Sequence, residues 1–130
     1  MKSDIMGTME TKVFVARDNY IKDEELKEAS AMIRSGGLVA FPTETVYGLG
    51  GDATNPEASR KIYAAKGRPS DNPLIVHIAD FSQLRNIVAE VPQEAEKLAE
   101  AFWPGPLTMI LRKNDVIPYE TTGGLDTVAI

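Results

Sequence analysis

Two basic side chains near the middle of the chain are the first candidates for chemistry. Lys66 and Arg68 are separated by one glycine in the segment 66–73, which reads KGRPSDNP. Proline disfavours helical geometry in the residue before it, so Arg68 and Asn72 are expected to be extended. Residues two apart in an extended segment point the same way, so Lys66 and Arg68 could grip one polyphosphate together. The alternative is a solvated loop whose cations only complement the C-terminal dipole of a preceding helix.

A second candidate is the segment 42–51, which reads PTETVYGLGG. The hydroxyls of Thr43, Thr45 and Tyr47 could orient a small polar molecule, and glycines let main-chain amides approach a ligand closely. Glu44 is the only acid in this segment and could act as a base or a metal contact, or could simply cap a turn. The alternative is a tight connection in which the threonines cap turns and Tyr47 fills the core.

Several other kinds of site are disfavoured by the sequence. Gly48, Gly50 and Ala53 match the spacing of a dinucleotide fingerprint, but that fingerprint follows a strand directly and opens a helix, and neither condition holds. The chain has no cysteine and one histidine, which excludes thiolate metal sites and argues against a histidine-rich metal centre. That histidine, His77, lies in an apolar segment, where an isolated histidine is commonly a core residue. Its position just after the cationic segment favours a functional role instead.

Composition and charge limit the class of protein. The chain has 43% hydrophobic and 25% charged residues, which is typical of a globular domain. Acidic residues outnumber basic ones by 19 to 14, the net charge is −5, and no lysine or arginine block is present, which disfavours a pure RNA-binding module. Residues 1–11 contain Asp4 and Glu10 and no apolar run, so neither a signal peptide nor a membrane span is predicted. We expect a cytoplasmic location.

Helical and strand patterns alternate along the chain, which predicts an α/β domain. Asp23 is expected to cap the first helix, which Gly36 ends, and a second helix is expected from the Asn55 cap to about Gly67. Two further helical segments are expected to open at Asp80 and Pro92. The predicted strands are a buried strand at 38–41, a strand covered on both faces at 74–78, and strands at 107–111 and 126–130.

Three ordered blocks resemble the YrdC-type threonylcarbamoyl-AMP synthases. They are Phe41–Gly50 (FPTETVYGLG), Lys66–His77 (KGRPSDNPLIVH) and Trp103–Thr108 (WPGPLT), and the resemblance runs from about Asp23 to Ile130. The resemblance implies a YrdC-like open, twisted, mixed sheet flanked by helices, with a concave ligand cavity. Residues 1–22 would then be a lead-in strand or arm, and 23–130 a YrdC-like domain that is incomplete at its C-terminus.

The same resemblance implies an activity and a partner. Family members form L-threonylcarbamoyladenylate and pyrophosphate from L-threonine, bicarbonate and ATP with Mg²⁺, for the threonylcarbamoyl modification of tRNA at position 37. The product passes to a threonylcarbamoyl transferase partner. The implied contacts are L-threonine with Thr45, His77 and Tyr47, and ATP with Lys66, Arg68, Asn72 and Thr127, where Lys66 and Arg68 would also be the catalytic residues and no protein metal site is expected.

Two rival functions stay open at this stage. The family's second half of the site, an arginine after the last strand and a serine-x-asparagine segment, would lie beyond Ile130, so this chain alone could be inactive. It would then be a non-catalytic module that binds nucleotide or, weakly, tRNA or double-stranded RNA. The second rival is an enzyme of the same fold that transfers carbamoyl to another acceptor, and binding of L-threonine would separate that case.

Overall fold

The structure is a computed structural model that describes residues 10–18 and 20–130. Residues 1–9 and 19 of the predicted lead-in arm lie outside the described part. Within the arm, Arg17 and Tyr20 form an antiparallel bridge through hydrogen bonds of 3.0 and 2.9 Å. The division of the chain at residues 22 and 23 stays a prediction.

Helices and strands alternate, so the predicted α/β class is confirmed. The helices are α1 (Asp23–Arg34), α2 (Pro56–Lys66), α3 (Gln93–Phe102), the short α4 (Tyr119–Thr122) and a 3₁₀ helix (Phe81–Asn86). The strands are β1 (Val39–Phe41), β2 (Gly48–Gly50), β3 (Ile110–Arg112) and β4 (Thr127–Ala129). No helix in residues 10–18 or 20–130 is long and apolar enough to cross a membrane.

The strands pair in two ladders. β1 and β2 form an antiparallel hairpin with Phe41 opposite Gly48, and β3 and β4 form a second antiparallel pair. Single bridges extend the second ladder on both sides, an antiparallel one from Val88 to Lys113 and a parallel one from Ile75 to Ala129. Pairing around β3 and β4 is therefore mixed.

The core lies around β3, β4 and the 3₁₀ helix. Leu84, Ile117 and Val128 are at most 1% exposed at the centre of one apolar cluster. A smaller cluster joins the buried face of α3 to Met109, and Trp103 packs against both clusters. The β1–β2 hairpin contributes no buried residue, so it depends on its contacts with neighbouring elements for its position.

Both strands that were predicted to be fully covered are more exposed than expected. β1 is not buried, since Val39 and Phe41 are half-buried and Ala40 is exposed. In the segment 74–78, Val76 is buried but Ile75 is 54% exposed, and only a single bridge forms instead of a strand. The positions of both apolar segments were predicted correctly, but no element in the described part of the chain covers the second face of either segment.

The predicted helices form, with changes at their ends. α2 is as expected, because the Asn55 side chain accepts a hydrogen bond of 3.0 Å from the Glu57 amide and Gly67 ends the helix at φ 61°. Asp23, in contrast, is the first residue of α1 and not its cap, which is Lys22. The segment that opens at Asp80 is 3₁₀, and α4 forms between two predicted strands where no helix was predicted. No residue of α1 is buried.

Candidate functional site

An open cleft of about 710 Å³ lies between three parts of the chain. The β1–β2 hairpin forms one wall, α2 with the residues that follow it forms another, and the segment 73–78 forms the third. Pockets that hold small molecules generally fall in the range of about 300–1,000 Å³. The cleft is therefore large enough for a nucleotide or an amino acid.

The cationic wall consists of Lys66 and Arg68, which both line the cleft. Lys66 is the last residue of α2, and Gly67 between them is left-handed, so the predicted extended path through these residues is wrong. The reversal needed to end the helix brings both cations to the same cavity nevertheless. Within the described residues, neither cation has a carboxylate partner within 4.0 Å. Their charges are available to a ligand.

The loop after Arg68 is held against α2 and α4 by specific contacts. The phenol of the buried Tyr63 donates a hydrogen bond of 2.7 Å to the main-chain oxygen of Asn72. Burial, and secondarily the charge of Asp71, raises the pKa of the Tyr63 phenol, so the folded protein favours the protonated phenol that donates this bond. A Cβ atom at Gly123 would lie 2.8 Å from the Asp71 oxygen, so the glycine permits this close approach. The loop therefore has a defined path.

The turn at residues 43–46 is organised by one hydroxyl. Thr43 Oγ1 accepts hydrogen bonds of 3.2 Å from the amides of both Thr45 and Val46 and donates one to the Val46 oxygen. Thr43 lines the cleft, whereas Thr45 and Tyr47 are exposed and are not among its lining residues. Tyr47 is 76% exposed, which rules out the alternative in which it fills the core.

His77, in the third wall, packs against the aromatic ring of Phe41 in the hairpin wall. The histidine is exposed and lines the cleft, so it is not a core residue. Its ring stands edge-on to Phe41 with centroids 6.1 Å apart, and its Nδ1 lies 3.3 Å from the Ile75 oxygen. A Cβ at Gly48 or Gly50 would come within 2.9 Å of the Phe41 ring. These glycines therefore lie within β2 under an aromatic ring, and not in a turn from a strand into a helix such as a dinucleotide fingerprint requires.

A buried chain of hydroxyls connects α2 and α4 at the inner end of the cleft. Thr121 donates a hydrogen bond of 2.7 Å to the Ala53 oxygen, and its Oγ1 lies 2.8 Å from the Ser59 hydroxyl. Thr121 and Ser59 are each 1% exposed, and both contribute to the lining. This pair was not predicted from the sequence, because no local signal connects residues 62 positions apart.

The structure thus brings together only some of the predicted site residues. Lys66, Arg68 and His77 share the cleft, whereas the lining does not include Asn72, Thr127, Thr45 or Tyr47. Asn72 is exposed and Thr127 is half-buried in β4. No group of three or more His, Asp or Glu side chains suited to a metal ion occurs in the described part of the chain. Asp52, another residue that the sequence analysis missed, is the only carboxylate among the lining residues within that part.

Comparison with known proteins assigns the chain to a family. The family model Sua5_yciO_yrdC, described as telomere recombination, matches residues 31–130. The chain belongs to the Sua5/YciO/YrdC family. The predicted family resemblance is therefore confirmed.

Two curated relatives of this Sua5/YciO/YrdC chain carry the name threonylcarbamoyl-AMP synthase. One, from Pyrococcus abyssi, is 57% identical over 110 residues, which are 85% of this chain and 32% of the relative. The other, from Bacillus subtilis, is 52% identical over 126 residues, 96% of this chain and 36% of the relative. The chain spans about a third of the length of each relative.

A solved member of the family has the same fold. The crystal structure of Pyrococcus abyssi Sua5 complexed with L-threonine matches with a TM-score of 0.81 and 57% identity, over 85% of this chain and 32% of that one. The predicted YrdC-like α/β fold is therefore confirmed for this Sua5/YciO/YrdC chain.

Proposed function

We propose that the protein contributes the nucleotide and amino-acid site of a threonylcarbamoyl-AMP synthase. The reaction joins L-threonine, bicarbonate and ATP into L-threonylcarbamoyladenylate and releases pyrophosphate. The observation that carries the proposal is the meeting of Lys66, Arg68 and His77 at one cleft, in a chain 57% identical to a relative of that name. The L-threonine in the solved Pyrococcus abyssi structure supports the same choice of substrate.

Lys66 and Arg68 bind the phosphates of ATP and act as the catalytic residues. Negative charge accumulates on the phosphates as the carbamate oxygen attacks the α-phosphate, and two preorganised cations stabilise it. Asn72 and Thr127 provide further contacts to ATP from outside the cleft lining. No covalent enzyme intermediate is required, which suits a cleft that works by positioning and charge.

L-Threonine is bound by Thr45, His77 and Tyr47. His77 approaches from the segment 73–78, Thr45 belongs to the turn that Thr43 organises beside the cleft, and Tyr47 directly follows that turn. The exposed Thr45 hydroxyl lies 3.4 Å from Thr43 Oγ1, and a hydroxyl has the capacity for a further hydrogen bond to a polar substrate. Positions on two different walls allow the amino acid to be held between the hairpin and the histidine.

A magnesium ion enters this site with ATP. With a single carboxylate among the described lining residues, the cleft lacks the several oxygen ligands that an ion held by the protein itself would need, whereas Mg²⁺ can be held through substrate phosphates and water. The residues present therefore fit an ion that is held mainly by ATP, where it neutralises phosphate charge.

The product serves threonylcarbamoyl modification of tRNA at position 37, and a threonylcarbamoyl transferase is the protein partner. Direct contact with tRNA or double-stranded RNA is weak, since a net charge of −5 opposes binding to a polyanion. We place the protein in the cytoplasm, where tRNA and ATP are available.

A non-catalytic nucleotide or RNA module is the second candidate. It is favoured by one observation, namely that four of the seven proposed contact residues do not line the cleft. Such a module would bind ATP or RNA without forming an adenylate.

Pyrophosphate release separates the two candidates. The protein and the Pyrococcus abyssi relative, as positive control, are incubated with ATP, Mg²⁺ and bicarbonate, with and without L-threonine. We expect threonine-dependent pyrophosphate release, with L-serine as the acceptor control that tests the carbamoyl-transfer rival. ATP binding without threonine binding or pyrophosphate release would contradict the synthase and favour the binding module.

A further inference from the structure

The cleft contains one acidic side chain that the proposed contacts with ATP do not explain. Asp52 lines the cleft that Lys66 and Arg68 also line, and it is half-buried. In residues 10–18 and 20–130, no ion pair within 4.0 Å joins Asp52 to a basic side chain. A negative charge and two positive charges are therefore presented to the same ligand.

The local structure around Asp52 needs an oxygen acceptor but not a charge. Asp52 Oδ1 accepts hydrogen bonds of 2.9 Å from the Thr54 amide and 2.7 Å from the Thr54 hydroxyl, in the turn that leads to the Asn55 cap of α2. Both bonds use the same oxygen. The side-chain oxygen of asparagine could accept them equally well. The second carboxylate oxygen and the charge therefore require another explanation.

We propose that Asp52 determines substrate specificity by binding the ammonium group of an amino acid. The inference rests on the proposed function. An amino acid is a zwitterion, so a site that selects it needs a partner of each sign, and Asp52 is the only anionic one on this cleft in the described residues. An ammonium group carries one positive charge, which a single carboxylate balances. A metal held by the protein itself would need several oxygen ligands.

The substitution Asp52→Asn tests the charge while keeping the turn. Asp80→Asn is a matched control, because Asp80 Oδ1 accepts hydrogen bonds from the amide and hydroxyl of Ser82, two residues on, and Asp80 does not line the cleft. Each variant, and the unmodified protein, is titrated calorimetrically with L-threonine, with 3-hydroxybutyrate, which lacks the amine, and with Mg²⁺-ATP. We expect Asp52→Asn to weaken L-threonine binding about 10- to 100-fold and not to weaken the binding of 3-hydroxybutyrate, whose only charge is negative.

The other outcomes of these titrations would each contradict the inference, and each would identify a different cause. Equal L-threonine affinity of the unmodified protein and Asp52→Asn would overturn it and leave the proposed function intact. An equal loss for L-threonine and 3-hydroxybutyrate, or an equal loss in Asp80→Asn, would show a structural effect. A loss confined to Mg²⁺-ATP would identify Asp52 as a metal contact. No L-threonine binding by the unmodified protein would overturn both proposals.

Discussion

The phenol of Tyr63 donates a hydrogen bond of 2.7 Å to the main-chain oxygen of Asn72, which ties α2 to the loop that follows its cationic end. The tyrosine is 5% exposed, so this bond is made away from solvent. It restricts the loop between Arg68 and the segment that carries His77. Two walls of the cleft are thereby held in a fixed relation by one side chain.

Tyr63→Phe removes this hydroxyl without changing the ring. We expect a loss of about 1 kcal/mol in the free energy of unfolding, because the Asn72 oxygen loses its donor. Amide hydrogen exchange should accelerate in residues 68–74. Tyr119→Phe is the control, since the Tyr119 phenol also donates a hydrogen bond of 2.8 Å, but to an oxygen of Asp126, which lies outside residues 68–74. Equal exchange in the two variants would contradict a specific role for Tyr63.

The fall in the free energy of unfolding at alkaline pH should depend on the Tyr63 hydroxyl. The pKa of Tyr63 is raised by burial and by Asp71, so the folded state favours the protonated phenol. This contribution is fully present below the unfolded pKa of about 10 and is lost as the pH rises through the folded pKa. Urea unfolding between about pH 9 and 11.5 should show a smaller decline for Tyr63→Phe than for the unmodified protein. An identical decline would be inconsistent with the raised pKa.

Arg68→Gln should weaken ATP binding about 10- to 100-fold, because one charge-assisted contact with the phosphates is removed. Arg85→Gln is its control: it lowers the net charge by the same unit, but Arg85 pairs with Glu96 at 3.3 Å outside the cleft. Calorimetric titration with ATP and Mg²⁺ compares the two variants. A similar loss in both would mean that overall charge, and not the position of Arg68, governs binding.

The threonines of the 43–46 turn should have separable roles. Thr43→Val removes the hydroxyl that accepts hydrogen bonds from the amides of Thr45 and Val46. We therefore expect disorder of the turn together with weaker L-threonine binding. Thr45→Val should weaken L-threonine binding about tenfold and leave the turn intact. Hydrogen exchange of residues 44–47 and calorimetry measure the two effects. Thr43→Ser should restore both properties, and failure to do so would argue that the methyl group matters instead.

The buried pair of Ser59 and Thr121 should be coupled energetically. Thr121→Val or Ser59→Ala leaves a buried hydroxyl or carbonyl without its partner, which costs roughly 1–3 kcal/mol. The double variant removes both polar groups, so its cost should be less than the sum of the two by about 1 kcal/mol or more. Urea unfolding of the four proteins gives the coupling energy. Simple additivity would show that the 2.8 Å contact contributes nothing specific.

Local signals were sufficient for the helix that carries the cationic wall. The Asn55-Pro56 start and the Gly67 stop correctly bound α2, because caps depend on the residues at the helix ends themselves. Burial was predicted less well. An apolar run does not reveal whether one or both of its faces are covered, and Ile75 and Ala40 are exposed although their runs read as buried.

The sequence by itself determined the α/β class, the family and three of the residues that share the cleft, Lys66, Arg68 and His77. These follow from periodicity, caps and long ordered motifs, which are properties of contiguous residues. Only the tertiary structure decided that Phe41 lies over the glycines of β2, that Ser59 meets Thr121, and that Asp52 joins two cations at one cavity. Those contacts join residues that are not contiguous in the chain, and they depend on how the elements pair and pack together.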